Sequence, residues 1–272
     1  MPIVLLAQPA ELFQPGNRLK FGNYLFCSND YLRAIDEFQD FLKYKKNDTV
    51  FFKIGLAYEK MRKYDIAQLY FASYPEKNAF YPEARLEFHK LFFLKKEFSA
   101  LRENVARTGK NFEYYPEIKR LSYISYLFDD TDLPDSNNFK LWFNNSGQKK
   151  IIRYYRIKLN LPQKSLTVAG MLSAVIPGLG KIYAGETGDG ITALIVNGLL
   201  GFLAYDNFRA GHKFRGWLFS GLTAIFYAGN IYGSVAAAQI YNNKIKTGYK
   251  QELEMFLERE NYFLPDYKNL CK

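Results

Sequence analysis

Few side chains in this sequence have the type and spacing that chemistry needs. The only histidines are His89 and His212. Neither has a Cys, His, Asp or Glu three or four residues away in a metal-ligand pattern. Cys27 and Cys271 are the only cysteines, and neither sits in a C-x-x-C or Cys/His arrangement. Cys27 lies in an aromatic, helical stretch and reads as a small buried hydrophobe. The pair leaves the redox compartment undecided. There is no G-x-S-x-G, H-E-x-x-H or Cys-His nucleophile motif. Gly180-Lys181 would end a phosphate-cradling loop only with a glycine five residues earlier and Ser or Thr after the lysine; Val175 and Ile182 stand there. Glu186 and Asp189 lie in a glycine-rich turn and read as surface groups rather than an acid/base pair. The expectation is a protein without catalytic residues, cofactor or metal.

Most of the informative residues position a fold instead. The net charge is +10. Many of the basic residues flank apolar runs: Lys149, Lys150, Arg153, Arg156, Lys158 and Lys164 before them, and Lys244, Lys246 and Lys250 after. Positive charge there suits acidic lipid head groups. No nucleic-acid motif accompanies it, so membrane lipid is the expected partner and nucleic acid is not.

Residues 11–145 carry an internal repeat. Gly22 and Gly55 are 33 residues apart, as are Tyr31 and Tyr64, Ala34 and Ala67, and Phe38 and Phe71. A weaker third copy holds Phe98, Leu101 and Val105. Tyr31, Ala34, Ile35, Phe38 and Phe41 recur with helical period. Each helix pair is too small to bury its own apolar face, so the pairs must stack. Gly55, Tyr58, Tyr64, Ala67, Phe71 and Pro75 resemble the tetratricopeptide repeat, over roughly residues 15–110. Leu25 departs from that pattern, and His89 stands in the glycine position of the third copy. The resemblance implies an all-α helical-repeat solenoid whose groove binds a peptide or protein. Further helices are expected over 115–128 and 139–160, separated by a polar loop at 129–138.

Residues 166–241 hold most of the glycine and alanine. Three apolar segments are visible: 166–176, 191–205 and 216–241. The last has no charged residue and is long enough to span about 30 Å of hydrocarbon, so it is the leading span. The first reads as a short span or a re-entrant half-helix. Gly229, Gly233 and Ala237 share one face of the third segment. That face reads first as intramolecular packing, with Gly198 and Gly201 opposite, and second as a homodimer contact. Asn197 and Asn230 either bond each other or cap their own helices. Pro177, Gly178, Gly180, Tyr183 and Gly185 form the string PGLG-x-x-Y-x-G. It resembles small bacterial membrane domains with that signature between two helices, and the two-transmembrane-helix domain family. The implied element is a helical transmembrane hairpin.

The resulting expectation has five parts: a signal-peptide remnant at 1–10, repeats at 11–145, a basic linker helix at 146–165, a membrane domain at 166–241 and an amphipathic tail at 242–272. The expected function is a membrane-anchored scaffold whose repeats bind a protein or peptide partner, in envelope assembly. The alternative is a component of a small transporter or channel. Topology signals conflict. The signal-like start places the repeats in the periplasm, across the inner membrane of a bacterium. The basic stretch before residue 166 favours the cytoplasm. With 166–183 re-entrant and the other two segments a hairpin, the loop bearing Arg209, Lys213 and Arg215 is cytoplasmic, and repeats and C-terminus share the outer side.

Overall fold

The computed structural model describes residues 14–143, 149–260, 262 and 267–271. The signal-like residues 1–10 lie outside them. Every regular element among the described residues is helical. The chain divides into two compact units, one of residues 1–153 and 260–272, the other of residues 154–259.

The first unit begins with three helix pairs: α1 (Pro15–Cys27) with α2 (Tyr31–Leu42), α3 (Asp48–Lys60) with α4 (Tyr64–Ala72), and α5 (Tyr81–Leu94) with α6 (Phe98–Arg107). Consecutive helices pack on one another throughout. Each pair turns at the same point through a left-handed residue: Asn29 at φ 63°, Arg62 at φ 58° and Lys96 at φ 61°. Arginine and lysine seldom adopt that conformation. The chain accepts it three times because the turn returns the second helix onto the first. The aromatics Tyr31, Tyr64 and Phe98 then open α2, α4 and α6.

Small residues set how closely each pair packs. A Cβ on Gly22 would lie 2.8 Å from the Phe38 ring, and one on Gly55 would lie 2.7 Å from the Phe71 ring. Phe38, Phe71, Ala34 and Ala67 are fully buried. Tyr58 packs on Tyr70, with ring centroids 5.6 Å apart. Tyr31 packs on Phe26 at 5.7 Å. Helix α4 stops at Ala72, three residues before Pro75.

Beyond the pairs lie α7 (Tyr115–Ser125), α8 (Ser136–Leu141) and α9 (Lys149–Leu159), the last continuing into the second unit. Helix α8 starts inside the expected polar loop. Asp135 is the reason: its carboxylate accepts from the backbone N–H groups of Asn137 and Asn138, which caps a new helix.

The second unit contains α10 (Leu166–Val175), α11 (Leu179–Tyr183), α12 (Thr187–Arg209) and α13 (Lys213–Arg259). The expected separate tail helix is absent: residues 242–259 continue α13, a single helix of 47 residues and about 70 Å. Nothing in that stretch breaks the helix. Its last turns bury Tyr249, Leu253, Phe256 and Leu257 along one face, and Phe256 packs on Tyr154.

The leading membrane span also moves. Among the described residues only α12 is long and apolar enough, by length and composition, to cross a membrane. The run 216–241 lacks charge, but Gly, Ser, Thr, Asn and Tyr dilute its apolar character. Between residues 166 and 241 the usual order of a water-soluble fold is reversed. The central buried cluster there is Ala169, Ala184 and Ala238. Meanwhile Ile195, Phe202, Trp217, Ile225 and Tyr232 are 62–77% exposed.

Candidate functional site

Two arrangements concentrate unusual side chains, one in each unit.

In the first unit, α1, α3 and α5 are the first helices of successive pairs and meet through polar groups. The Lys53 ammonium donates to Asn23 Oδ1 at 2.7 Å and lies 5.6 Å from the centre of the Phe26 ring. Lys90 sits 2.8 Å from Glu59 Oε1 and is also paired with Glu87. All three members of that cluster are buried. Such groups are ordinarily solvated, so each must be held by a partner.

The C-terminal segment completes the cluster. The Tyr267 hydroxyl donates to Glu87 Oε1 at 2.7 Å. Its ring meets Phe52 edge-on, with centroids 5.5 Å apart. Leu270 enters the core beside Phe52, Leu56 and Leu91. Cys271 is joined to Cys27 at the end of α1. Cys27 is therefore an exposed half-cystine rather than a buried hydrophobe.

Burial pushes the Glu87 carboxyl up to about 8, helped by Glu59 and opposed by the Lys90 ammonium. Burial works against the Lys90 charge, but Glu87 and Glu59 outweigh it and raise Lys90 above its ordinary range. A raised carboxyl pKa contributes stability fully below its unfolded value near 4.5, and loses it as pH rises through about 8. Glu87→Gln keeps an acceptor for Tyr267 and cannot ionise. Relative to this variant, wild type is expected to lose on the order of 1–3 kcal/mol between pH 5 and pH 9. The measurement is the urea midpoint of the repeat unit at each pH; parallel profiles would contradict the assignment. His89, pushed down to about 4 mainly by burial, loses stability in the opposite direction, as pH falls below about 6.5, and cancels in this comparison.

His89 lines a 320 Å³ cavity with Tyr81, Arg85, Asn104, Thr108 and Phe112. Its Nδ1–H donates to the Arg85 carbonyl at 2.7 Å, and Nε2 faces the Thr108 hydroxyl at 3.3 Å. Burial favours the neutral ring, and polar groups of α5 and at the end of α6 hold it, which explains how histidine replaces the repeat glycine there. Among the described residues no three His, Cys, Asp or Glu side chains cluster as metal ligands.

In the second unit, the string from Pro177 to Gly185 forms a close-packed turn. Gly178 has φ 92°, and a Cβ there would lie 1.9 Å from the Gly190 carbonyl oxygen. A Cβ on Gly180 would lie 1.9 Å from the Ala169 carbonyl oxygen. The Gly180 N–H donates to Ser173 Oγ at 2.9 Å, and Ser173 lies 2.7 Å from Ser234 Oγ. Ser234 in turn donates to the Asn230 carbonyl at 2.8 Å. This buried relay ties α10, α11 and α13 together. The Ser165 N–H donates to the Tyr183 hydroxyl at 3.0 Å, and the Lys164 ammonium lies 4.7 Å from that ring's centre. Gly185, at φ 94°, turns the chain into α12 with open space where a Cβ would lie.

The small-residue face of α13 is divided. Ala237 packs with the alanine cluster, while Gly233 receives the Lys181 side chain, its Cε 3.2 Å from a built Cβ. Gly229, Gly198 and Gly201 face open space. The expected meeting of Gly198 and Gly201 with this face does not occur, because α11 packs against both α12 and α13 and places Lys181 there. Asn197 donates to the Ala193 carbonyl of its own helix at 2.8 Å. The Asn230 side chain is buried with no hydrogen-bond partner among the described residues. Both amides line a 520 Å³ cleft with Lys181, Asp189, Thr192 and Phe226.

No family model matches the chain, and no curated protein or solved structure is significantly similar to it.

Proposed function

We propose that the chain is a non-enzymatic scaffold anchored in a bacterial inner membrane, with tetratricopeptide-like repeats that hold a peptide or protein partner at the membrane surface. One observation carries the reading: over residues 166–241 the second unit keeps small residues inside and presents its large apolar side chains outside. Water penalises that arrangement and lipid rewards it. The most apolar window of α12 is only 17% buried, unlike a core helix of a soluble protein. At 23 residues α12 reaches about 35 Å, enough to cross. The uncharged run 216–241 of α13 returns beside it, and the Pro-Gly turn with its short flanking helices re-enters from one side.

The Cys27–Cys271 bond supports a topology. Disulfides persist in oxidising compartments. Its two ends flank the whole membrane segment in sequence, so the chain recrosses whatever it crosses. Repeats and C-terminus then share the periplasmic side, and Arg209, Lys213 and Arg215 face the cytoplasm as the positive-inside rule prefers. This reading is tested by membrane-impermeant maleimide labelling of Asn137→Cys and His212→Cys chains. In spheroplasts, labelling is expected at the first and protection at the second.

A second reading, a small transporter or channel component, is favoured by the cleft that holds Lys181, Asp189, Asn197 and Asn230. Polar groups at membrane depth are costly and mark pathways.

A further inference from the structure

The first helices of the repeat pairs already carry a peptide. Three anchors hold it. Tyr267 stacks edge-on against Phe52 of α3 and gives its hydroxyl proton to Glu87 of α5. Leu270 is buried with Phe52, Leu56 and Leu91, only 7% exposed. Cys271 is bonded to Cys27 at the end of α1. The anchors bond or stack on α1, α3 and α5, the first helices of the three pairs, so the site lies along that side of the stack. An apolar pocket for leucine beside a buried acceptor for a tyrosine hydroxyl discriminates by side chain. A phenylalanine would leave Glu87 Oε1 without its donor, and an unpaired buried polar group is costly.

The first two anchors are reversible and the third is covalent. Both half-cystines are exposed, so a thiolate can reach them. Extending the scaffold reading above, we propose that this face is a binding site for protein segments bearing Tyr-x-x-Leu, closed in cis by the chain's own C-terminus and opened by reduction of Cys27–Cys271. The reductant is a dithiol. One of its thiolates attacks a cystine sulfur, and the Cys27–Cys271 bond breaks with its electron pair leaving on the other sulfur. The second thiolate of the reductant closes the mixed disulfide into its own disulfide, and both cysteines end as thiols. Released from the covalent tie, the segment becomes an ordinary cis competitor with an effective concentration on the order of millimolar, which a partner in trans can displace.

The test uses the full chain purified in detergent and a fluorescent peptide of residues 260–272 carrying serine at the Cys271 position. Anisotropy titrations compare the oxidised chain, the chain reduced with dithiothreitol, and Cys27→Ser. The reduced chain and Cys27→Ser are expected to bind at least about 10-fold more tightly than the oxidised chain. A peptide with Tyr267→Ala and Leu270→Ala is expected not to compete. Equal affinity in both redox states would overturn the redox gate and leave the peptide-binding scaffold standing. No binding in any state, with helicity intact by circular dichroism, would overturn the face as a peptide site, while side-specific labelling judges the anchoring separately.

Discussion

Gly180→Ala is expected to prevent the second unit from reaching its native packing. A methyl group there would meet the Ala169 carbonyl oxygen at 1.9 Å, Ser173 Oγ at 2.7 Å and Ser234 Cβ at 2.7 Å. The first contact is backbone in the neighbouring helix, so no rotamer change relieves it. Relief requires α11 to move away from α10. That movement breaks the Gly180 N–H bond to Ser173 and with it the relay to Ser234 and the Asn230 carbonyl. Overpacking alone costs about 1–3 kcal/mol, and orphaned buried polar groups add roughly 1–3 kcal/mol each. The combined loss exceeds about 3 kcal/mol on those scales. The expected result is a chain that aggregates on detergent extraction or is degraded, read by fluorescence-detected size exclusion against wild type. Gly185→Ala is the control: that position has positive φ, unlike Gly180, but open space, so it is expected to retain a monodisperse peak at lower thermal stability. A Gly180→Ala chain that runs and melts like wild type would show that α10 and α11 are not joined as described.

Gly55→Ala is expected to destabilise the repeat unit by about 2–3 kcal/mol, and Phe71→Leu in the same chain to recover part of that loss. The added methyl would sit 2.7, 3.0 and 3.2 Å from three atoms of the Phe71 ring. The ring cannot yield, because it is fully buried and packed on Phe52 at 5.7 Å between centroids. Shortening Phe71 opens the space that the methyl needs, so the pair is non-additive in the favourable sense. Gly22 and Phe38 make the same contact 33 residues earlier, and Gly22→Ala with Phe38→Leu is expected to behave likewise. The check is a double-mutant cycle on urea midpoints of the repeat unit. Strictly additive losses would mean that glycine and phenylalanine do not meet.

These contacts explain why the repeat was legible in the sequence. Helix pairing joins residues 16 apart, such as Gly55 and Phe71, and the small and large partners recur together. The turns were legible only at Asn29. Arg62 and Lys96 adopt the same left-handed conformation without any residue type that announces it. The buried group of Glu59, Glu87 and Lys90 was invisible, because charges on a helix ordinarily read as a solvated face. It is buried between α3 and α5, where Tyr267 reaches Glu87 from far along the chain. The disulfide was hidden for the same reason: 244 residues separate its halves, and no spacing rule links them. In the second unit, the PGLG string announced a tight turn, and Gly178 and Gly180 occupy its closest approaches. Counting charges favoured 216–241 as the principal span, whereas apolar content favours α12, because glycine, asparagine and tyrosine are neutral without being strongly apolar.

One geometry underlies the account: residues on either side of the proposed membrane segment are tied to each other, and on that proposal the segment returns to the side it left. Side-specific labelling probes this directly. The introduced thiols at positions 137 and 212 both lie on exposed surface, and the native cysteines are bonded to each other. In intact spheroplasts an impermeant maleimide should modify Asn137→Cys and spare His212→Cys until the membrane is opened. Equal modification of both positions before opening would contradict the hairpin, and with it the anchored scaffold.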